Sequence, residues 1–355
     1  MRAIVLVIVI ALSIQFGMAQ DLNYSQFYHH KTLINPAYTG LSKTFSASGL
    51  HRNQWMGIGD ENLFQSTAII LDYGLSEKSS GKYGSGLGLG LLYQHSTTGI
   101  SRYTTDGIKI NISSDAARIG NEKHGFMAQL PVGISIGYIK NGCDWQSLVF
   151  SDQLDPILGI VSAGNGIPQD LINQSETKFL EIGFGGMFGM KFHKKQSEAS
   201  YVNIGYSFNK YISINQNSTD AFQIPQKWSV NAFYHQPLQK YMISSGVIYQ
   251  SQGDLQNFIM GAAFVTEYDF SVGVWLRNQN HGLDMGNYSD LIFNLTYRYR
   301  QFEFGYSYDM GISTLSNKSS KGTHEVSLKI RLFDDQTRMK NKIRKNSTCF
   351  FQGLD

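Results

Sequence analysis

Apolar and polar side chains alternate with a period of two through most of this chain. Between Gln301 and Met310, Phe302, Phe304, Tyr306 and Tyr308 take one parity, and Glu303, Gly305, Ser307 and Asp309 take the other. After a loop of Gly, Ser, Asn and Lys the pattern resumes, with Val326, Leu328, Ile330 and Leu332 opposing Ser327, Lys329 and Arg331. A strand points successive side chains to opposite faces, so each stretch is predicted as a strand with one apolar and one polar side. The same alternation, punctuated by turn residues, predicts fourteen strands. The first seven cover 43–52, 62–72, 84–95, 103–113, 126–140, 179–192 and 200–211. The other seven cover 226–236, 240–250, 255–265, 269–277, 289–298, 301–311 and 322–333. In some the second face is bare glycine: Leu87, Leu89, Leu91 and Tyr93 oppose Gly86, Gly88 and Gly90.

The apolar faces need either a second sheet or lipid. Most of the strands have about the 9–11 residues that cross a bilayer at a tilt. An even strand number puts both ends of a barrel on the periplasmic side, with long loops outside and short turns inside. Long connections are expected outside at 141–178, 212–225, 278–288 and 312–321, and short ones inside at 237–239 and 299–300. Two inside turns of middling length, 73–83 and 114–125, fit that rule less well. A soluble sandwich has no reason to sort its loops by parity. The expected fold is therefore all-β, a transmembrane antiparallel β-barrel of about fourteen strands.

The flanks divide the chain further. Arg2, the apolar run from Ala3 to Phe16, and small residues at Gly17 and Ala19 describe a secretory signal peptide over 1–19. That run is too short for a spanning helix. Residues 20–42 lack alternation and are expected as an irregular, plug-like segment packed in or beneath the barrel of 43–333. Asn35-Pro36 opens a turn there, and Gly40 closes one. In the basic tail, 334–355, Arg338, Lys340, Lys342, Arg344 and Lys345 describe either a disordered extension or a periplasmic docking segment.

Composition agrees with a membrane barrel. Charged residues make up 16% of the chain, against about 25% in ordinary soluble domains. The 22 Phe, 20 Tyr and 36 Gly suit aromatic girdles around a crowded lumen. A net charge of +3 is too small to imply nucleic acid. Cys143 and Cys349 show no metal or redox spacing, and their pairing stays open.

Catalytic patterns fail on context. Gly133-Ile134-Ser135-Ile136-Gly137 matches the nucleophile-elbow spacing, but Val132, Ile134, Ile136 and Tyr138 alternate straight through it, where a sharp strand-to-helix turn is required. The nine His residues form no metal-ligand set, so neither metal nor cofactor is expected, and the protein is expected not to be an enzyme.

Several fragments fall in a telling order after the leader: Ser25-Gln26-Phe27-Tyr28, Leu33 to Gly40, Arg52-Asn53-Gln54-Trp55, Phe304 to Asp309, and Gly322-Thr323-His324-Glu325. In that order the chain resembles the PorP/SprF family of type IX secretion and gliding machinery, up to about Phe333. The resemblance implies a non-catalytic outer-membrane component supporting export or surface attachment of cargo proteins, often adhesins, through their C-terminal sorting domains. It implies as partners the lipid bilayer, that cargo, and periplasmic ring or peptidoglycan-linked components. The matched residues singled out are Asn35, Pro36, Tyr38, Gly40, Arg52, Asn53, Gln54, Trp55, Gly305, Tyr306, Tyr308, Asp309, His324 and Glu325. Asp309 and Glu325 fall on the polar side, where Arg52, Lys329 or Arg331 can pair with them as interior salt bridges. Arg52 and Trp55 are expected at the outer interface, where Arg meets lipid phosphate or an interior carboxylate. The competing function is an outer-membrane channel for hydrophobic or small solutes.

Overall fold

The structure, a computed structural model, describes residues 23–42, 44–57, 64–75, 86–99, 101–121, 126–144, 154–155, 159–160, 176–194, 198–214, 224–238, 241–266, 269–281, 287–313 and 320–332. The signal-peptide and basic-tail expectations lie outside these residues. Two 3-10 turns, Lys31–Leu33 and Pro36–Tyr38, precede the first strand. The strands are β1 (Phe45–Gln54), β2 (Phe64–Leu75), β3 (Leu87–Thr98), β4 (Tyr103–Asn121), β5 (Phe126–Gly142), the short β6 (Leu154–Asp155) and β7 (Gly159–Ile160), and β8 (Glu176–Lys194). There follow β9 (Glu198–Ser213), β10 (Lys227–Leu238), β11 (Tyr241–Gln252), β12 (Leu255–Thr266), β13 (Phe270–His281), β14 (Asn287–Tyr299), β15 (Phe302–Gly311) and β16 (Thr323–Leu332).

Fourteen of these close into one antiparallel barrel, each paired with its neighbour in sequence and β1 with β16. Hairpin β6/β7 stands apart within the β5–β8 connection. Every predicted strand is present. The longest departures are β4, β5, β8 and β9, whose paired residues run past the ends of β3 and β10. A bulge between Asp115 and Arg118 lets β4 continue opposite β5 beyond Pro131. The expected middling turn at 114–125 therefore shrinks to 122–125.

One rim carries the connections 55–63, 99–102, 143–175, 214–226, 253–254, 282–286 and 312–322. The other carries 76–86, 122–125, 195–197, 239–240, 267–269 and 300–301. Connections 143–175 and 214–226, both at the first rim, are longer than anything opposite.

The wall is apolar outside, and polar side chains predominate on its inward face. On the outward face Ile110, Ile136 and Phe184 are 57%, 58% and 51% exposed. Their strand neighbours on the inward face, Asn111, Ser135 and Gly185, are buried. Outward aromatics gather toward each rim, with Trp228 against Tyr249 (5.0 Å) near the long-loop rim and Tyr241 against Phe264 (5.0 Å) near the other. Phe45 meets Tyr73 (6.4 Å) and Phe126 meets Phe192 (5.6 Å) at that second rim as well. Two aromatic girdles around an apolar belt are what a bilayer selects.

Residues 23–42 lie within the lumen, in contact with inward side chains from β1, β2, β4, β10, β13, β14, β15 and β16. Asn23 sits among Lys227, Gln250, Gln252 and Leu255, at the long-loop rim. The chain then crosses the lumen and reaches β2 and β3 at Gly40, just before β1 begins at the opposite rim. An even strand number does put the start of β1 and the end of β16 at one rim. The first described residue lies at the other, because the segment climbs the interior.

Candidate functional site

The segment is seated by three kinds of contact, each prepared by the sequence. The first is bare backbone. Inward-facing glycines near the middle of several strands leave hollows that a Cβ would fill. One added at Gly185 would collide with the Asn35 side chain. One at Gly133 would lie 2.5 Å from the Pro36 carbonyl carbon, and one at Gly90 would lie 2.9 Å from the Thr39 methyl. At Gly88 it would strike the Thr39 carbonyl, and at Gly305 the Gln26 amide. The glycine parity in the sequence is thus the footprint of the segment on the wall.

The second contact is a cap that doubles as an anchor. Asn35 precedes the Pro36–Tyr38 turn in extended conformation, and its Oδ1 accepts from Ala37 N (2.9 Å). Proline at the first position of the turn forfeits no hydrogen bond there. The Asn35 Nδ2 group donates to two wall carbonyls, Gly186 O and Tyr206 O, both at 3.1 Å. The Tyr38 hydroxyl accepts from Asn231 Nδ2 (2.6 Å), and Ser113 Oγ donates to Thr39 O (2.5 Å). Gly40, with φ of +68°, donates its N–H to Asp72 Oδ1 (2.6 Å).

The third is a buried charge cluster at the long-loop end. Arg52 Nη1 donates to Asp309 Oδ2 (2.9 Å) and lies 3.4 Å from Glu325 Oε2. Arg277 Nη1 donates to the same Asp309 oxygen (3.0 Å). Ser25 joins them, its Oγ donating to Asp309 (2.6 Å) and accepting from Arg277 Nη2 (3.0 Å). Its N–H donates to Glu325 Oε2 (2.7 Å), and that of Gln26 to Glu325 Oε1 (2.9 Å). Lower in the lumen Arg331 Nη2 donates to Glu303 Oε2 (2.7 Å), whose other oxygen is 3.1 Å from His29 Nδ1. Buried carboxylates of this kind persist only when paired and hydrogen-bonded.

Between these polar anchors lies an apolar core. Phe27 packs edge-on to Trp275 (5.1 Å) and Tyr28 stacks on it (5.4 Å, 19°), within a cluster that includes Phe233, Ile248, Ile259 and Ile292. In the amide orientation that satisfies its neighbours, Asn294 accepts from both Trp275 Nε1 and the Tyr28 hydroxyl. Segment and wall here share one interior.

Of the residues singled out in the sequence, Asn35, Pro36, Tyr38, Gly40, Arg52, Gly305, Asp309 and Glu325 meet in the lumen. Arg52 faces interior carboxylates and not lipid phosphate. Of the cations expected to pair with Asp309 and Glu325, Arg331 turns instead to Glu303, and Lys329 donates to His29 O (3.3 Å). Asn53 and Gln54 end β1 opposite His324 and Thr323. Trp55 extends that pairing, its N–H donating to Gly322 O (2.9 Å) in left-handed backbone (φ 57°), while its ring meets Phe64. Tyr306 and His324 point outward, with the hydroxyl 2.8 Å from Nδ1, and Tyr308 packs on the same imidazole (5.0 Å). Sequence reasoning missed Arg277, Trp275 and Asp72. Arg277 and Trp275 share parity with Ser271 and Gly273, so the signal was a charge and a large ring on an otherwise small inward face.

A closed antiparallel barrel with a lipid-compatible exterior and a polar interior is an integral β-barrel membrane protein. Residues 17–330 match the family described as type IX secretion system membrane protein PorP/SprF, and the chain belongs to that family. It is accordingly an outer-membrane protein. No curated protein matches the sequence. Among solved structures, CdiB from Acinetobacter baumannii is similar at 8% identity over 81% of this chain and 60% of that one, with a TM-score of 0.41. BamA from Haemophilus ducreyi lacking POTRA domains 1-3 follows at 10% identity, 82% and 70% coverage, and TM-score 0.38. A mutant of Rh. blastica porin has 9% identity, 81% and 99% coverage, and TM-score 0.34. The chain spans only about three fifths of the CdiB chain, and none of these likenesses bears on function.

Proposed function

We propose that this protein is a binding platform of the type IX machinery, supporting export or surface attachment of specific cargo proteins without catalysing a reaction. The observation that carries this reading is the lumen. Its own N-terminal segment fills it with an apolar core and a paired charge cluster, so partners are met at the rims and not through the wall. On this reading the long-loop rim is extracellular and receives the C-terminal sorting domain of an adhesin-like cargo. The short-turn rim and the basic residues after Leu332 face periplasmic ring or peptidoglycan-linked components. Ser135 sits mid-strand at Cα register with Asn111 and Gly183, with no turn to raise a nucleophile, which supports binding over chemistry.

The test is co-purification from gently solubilised native outer membranes through a tag placed in the 143–175 connection. Recovery of a large secreted protein together with periplasmic secretion components is the expected result. A barrel that comes off alone, carrying a small hydrophobic ligand, would overturn the proposal in favour of a transport channel.

A further inference from the structure

The β1/β16 joint differs from every other joint in the barrel. Elsewhere neighbouring strands are tied by a connection, whereas β1 and β16 come from opposite ends of the barrel sequence and only pairing holds them. Bringing such distant segments together carries the largest loop-closure cost in the wall. Small residues occupy part of both faces of β1 at the joint. Outward, β1 offers Ala47 and Gly49, and a Cβ built on Gly49 meets nothing within 4 Å. Inward, it offers Ser46 and Ser48, and beyond them Leu50, which shares an apolar cluster with Tyr24 of the luminal segment.

What crosses the joint is the charge cluster. Arg52 of β1 and Glu325 of β16 are direct register partners. Each oxygen of the Glu325 carboxylate accepts one backbone N–H of the luminal segment, from Gln26 and Ser25. Gln26 Nε2 also donates to the Glu325 backbone carbonyl (3.1 Å), and Ser327 Oγ donates to Gln26 Oε1 (2.5 Å). Arg52 and Arg277 bring β1 and β13 onto Asp309 of β15, with Ser25 Oγ between them. We propose that Ser25 and Gln26 form a latch that holds the β1/β16 seam closed, so that the seam is the joint at which the barrel opens when the latch is lost. The segment is then a clasp on the wall as well as a filling, a role independent of which partners the rims bind.

The test uses the full chain in native outer membranes, with Cys143 and Cys349 replaced by Ser. Register partners on antiparallel strands lie within disulfide reach, so Gly49→Cys with Leu328→Cys staples the seam. Glu325→Gln replaces an acceptor by an amide and weakens both latch contacts. At fixed temperature it should shorten the lifetime of the compact, SDS-resistant band roughly ten- to hundredfold, as expected for loss of charge-assisted hydrogen bonds. Oxidising the seam pair should restore most of that lifetime. A control staple between β11 and β12, Val247→Cys with Met260→Cys, should not. If Glu325→Gln is not recovered in the membrane, Ser25→Pro removes both the amide donor to Glu325 and the hydroxyl shared by Arg52, Arg277 and Asp309, leaves every wall residue in place, and the same rescue is expected. An unchanged lifetime, or a shortened one that both staples restore equally or neither restores, overturns the latch.

Discussion

The anchoring role of Asn35 gives the sharpest prediction about how the segment is held. Replacing it by Ala removes three hydrogen bonds at once: the cap to Ala37 and the donations to the Gly186 and Tyr206 carbonyls. At about 1 kcal/mol net for each, the loss should be about 3 kcal/mol. Asn35→Asp separates cap from anchor. It keeps an acceptor for Ala37, yet turns a second oxygen toward two carbonyl oxygens in a buried site. Two bonds go, and the second oxygen must be buried without a donor, so the cost should be about 4 kcal/mol or more. At an ordinary solvent-facing cap Asp and Asn are nearly equivalent. Urea unfolding in detergent micelles, followed through tryptophan fluorescence, to which Trp275 beside Tyr28 contributes, would give the order wild type, Ala, Asp. If Asp matches wild type, Asn35 is a cap only, and the two carbonyl contacts contribute nothing to the seat.

Neighbouring glycines should respond oppositely: Gly185→Val strikes the Asn35 side chain and should abolish protection of the segment from protease, whereas Gly186→Ala, which meets open space, should leave it intact. Arg331→Met takes the guanidinium partner from the buried Glu303 carboxylate and should destabilise by about 3–5 kcal/mol, while the double change with Glu303→Met should recover much of that loss, both read as unfolding midpoints. On the outside, Ile110→Arg places a charge in the middle of the apolar belt and should cost about 2–4 kcal/mol of folding into lipid vesicles, with a much smaller effect in detergent solution.

The wall was legible because its signal is local. Parity at Phe304 or Ile110 depends only on which side faces lipid, and Gly88 and Gly90 could be read as small inward residues without knowing what they faced. The extra length of β4 was not legible, since a bulge at Asp115 interrupts the alternation that would have announced it. The site was legible by half. A carboxylate such as Asp309 or Glu325 amid aromatic strands advertises an interior partner, and Arg52 has the parity to supply one. The sequence carried no sign that Arg277 shares Asp309, or that the donors on Glu325 are backbone amides of Ser25 and Gln26. Such contacts depend on how fourteen strands bring distant positions into register, and backbone amides carry no residue-type signal at all.

The position of Asn23 matters to anyone who attaches something to this protein. A fluorescent domain or affinity tag joined just ahead of Asn23 would emerge beside Lys227 and Leu255, at the rim of the long loops. One joined after Leu332 would emerge at the opposite rim. Tags at these two positions would then report from opposite sides of the same membrane. With the long loops outermost, as proposed, a tag ahead of Asn23 would mark the side that the cell shows to its surroundings.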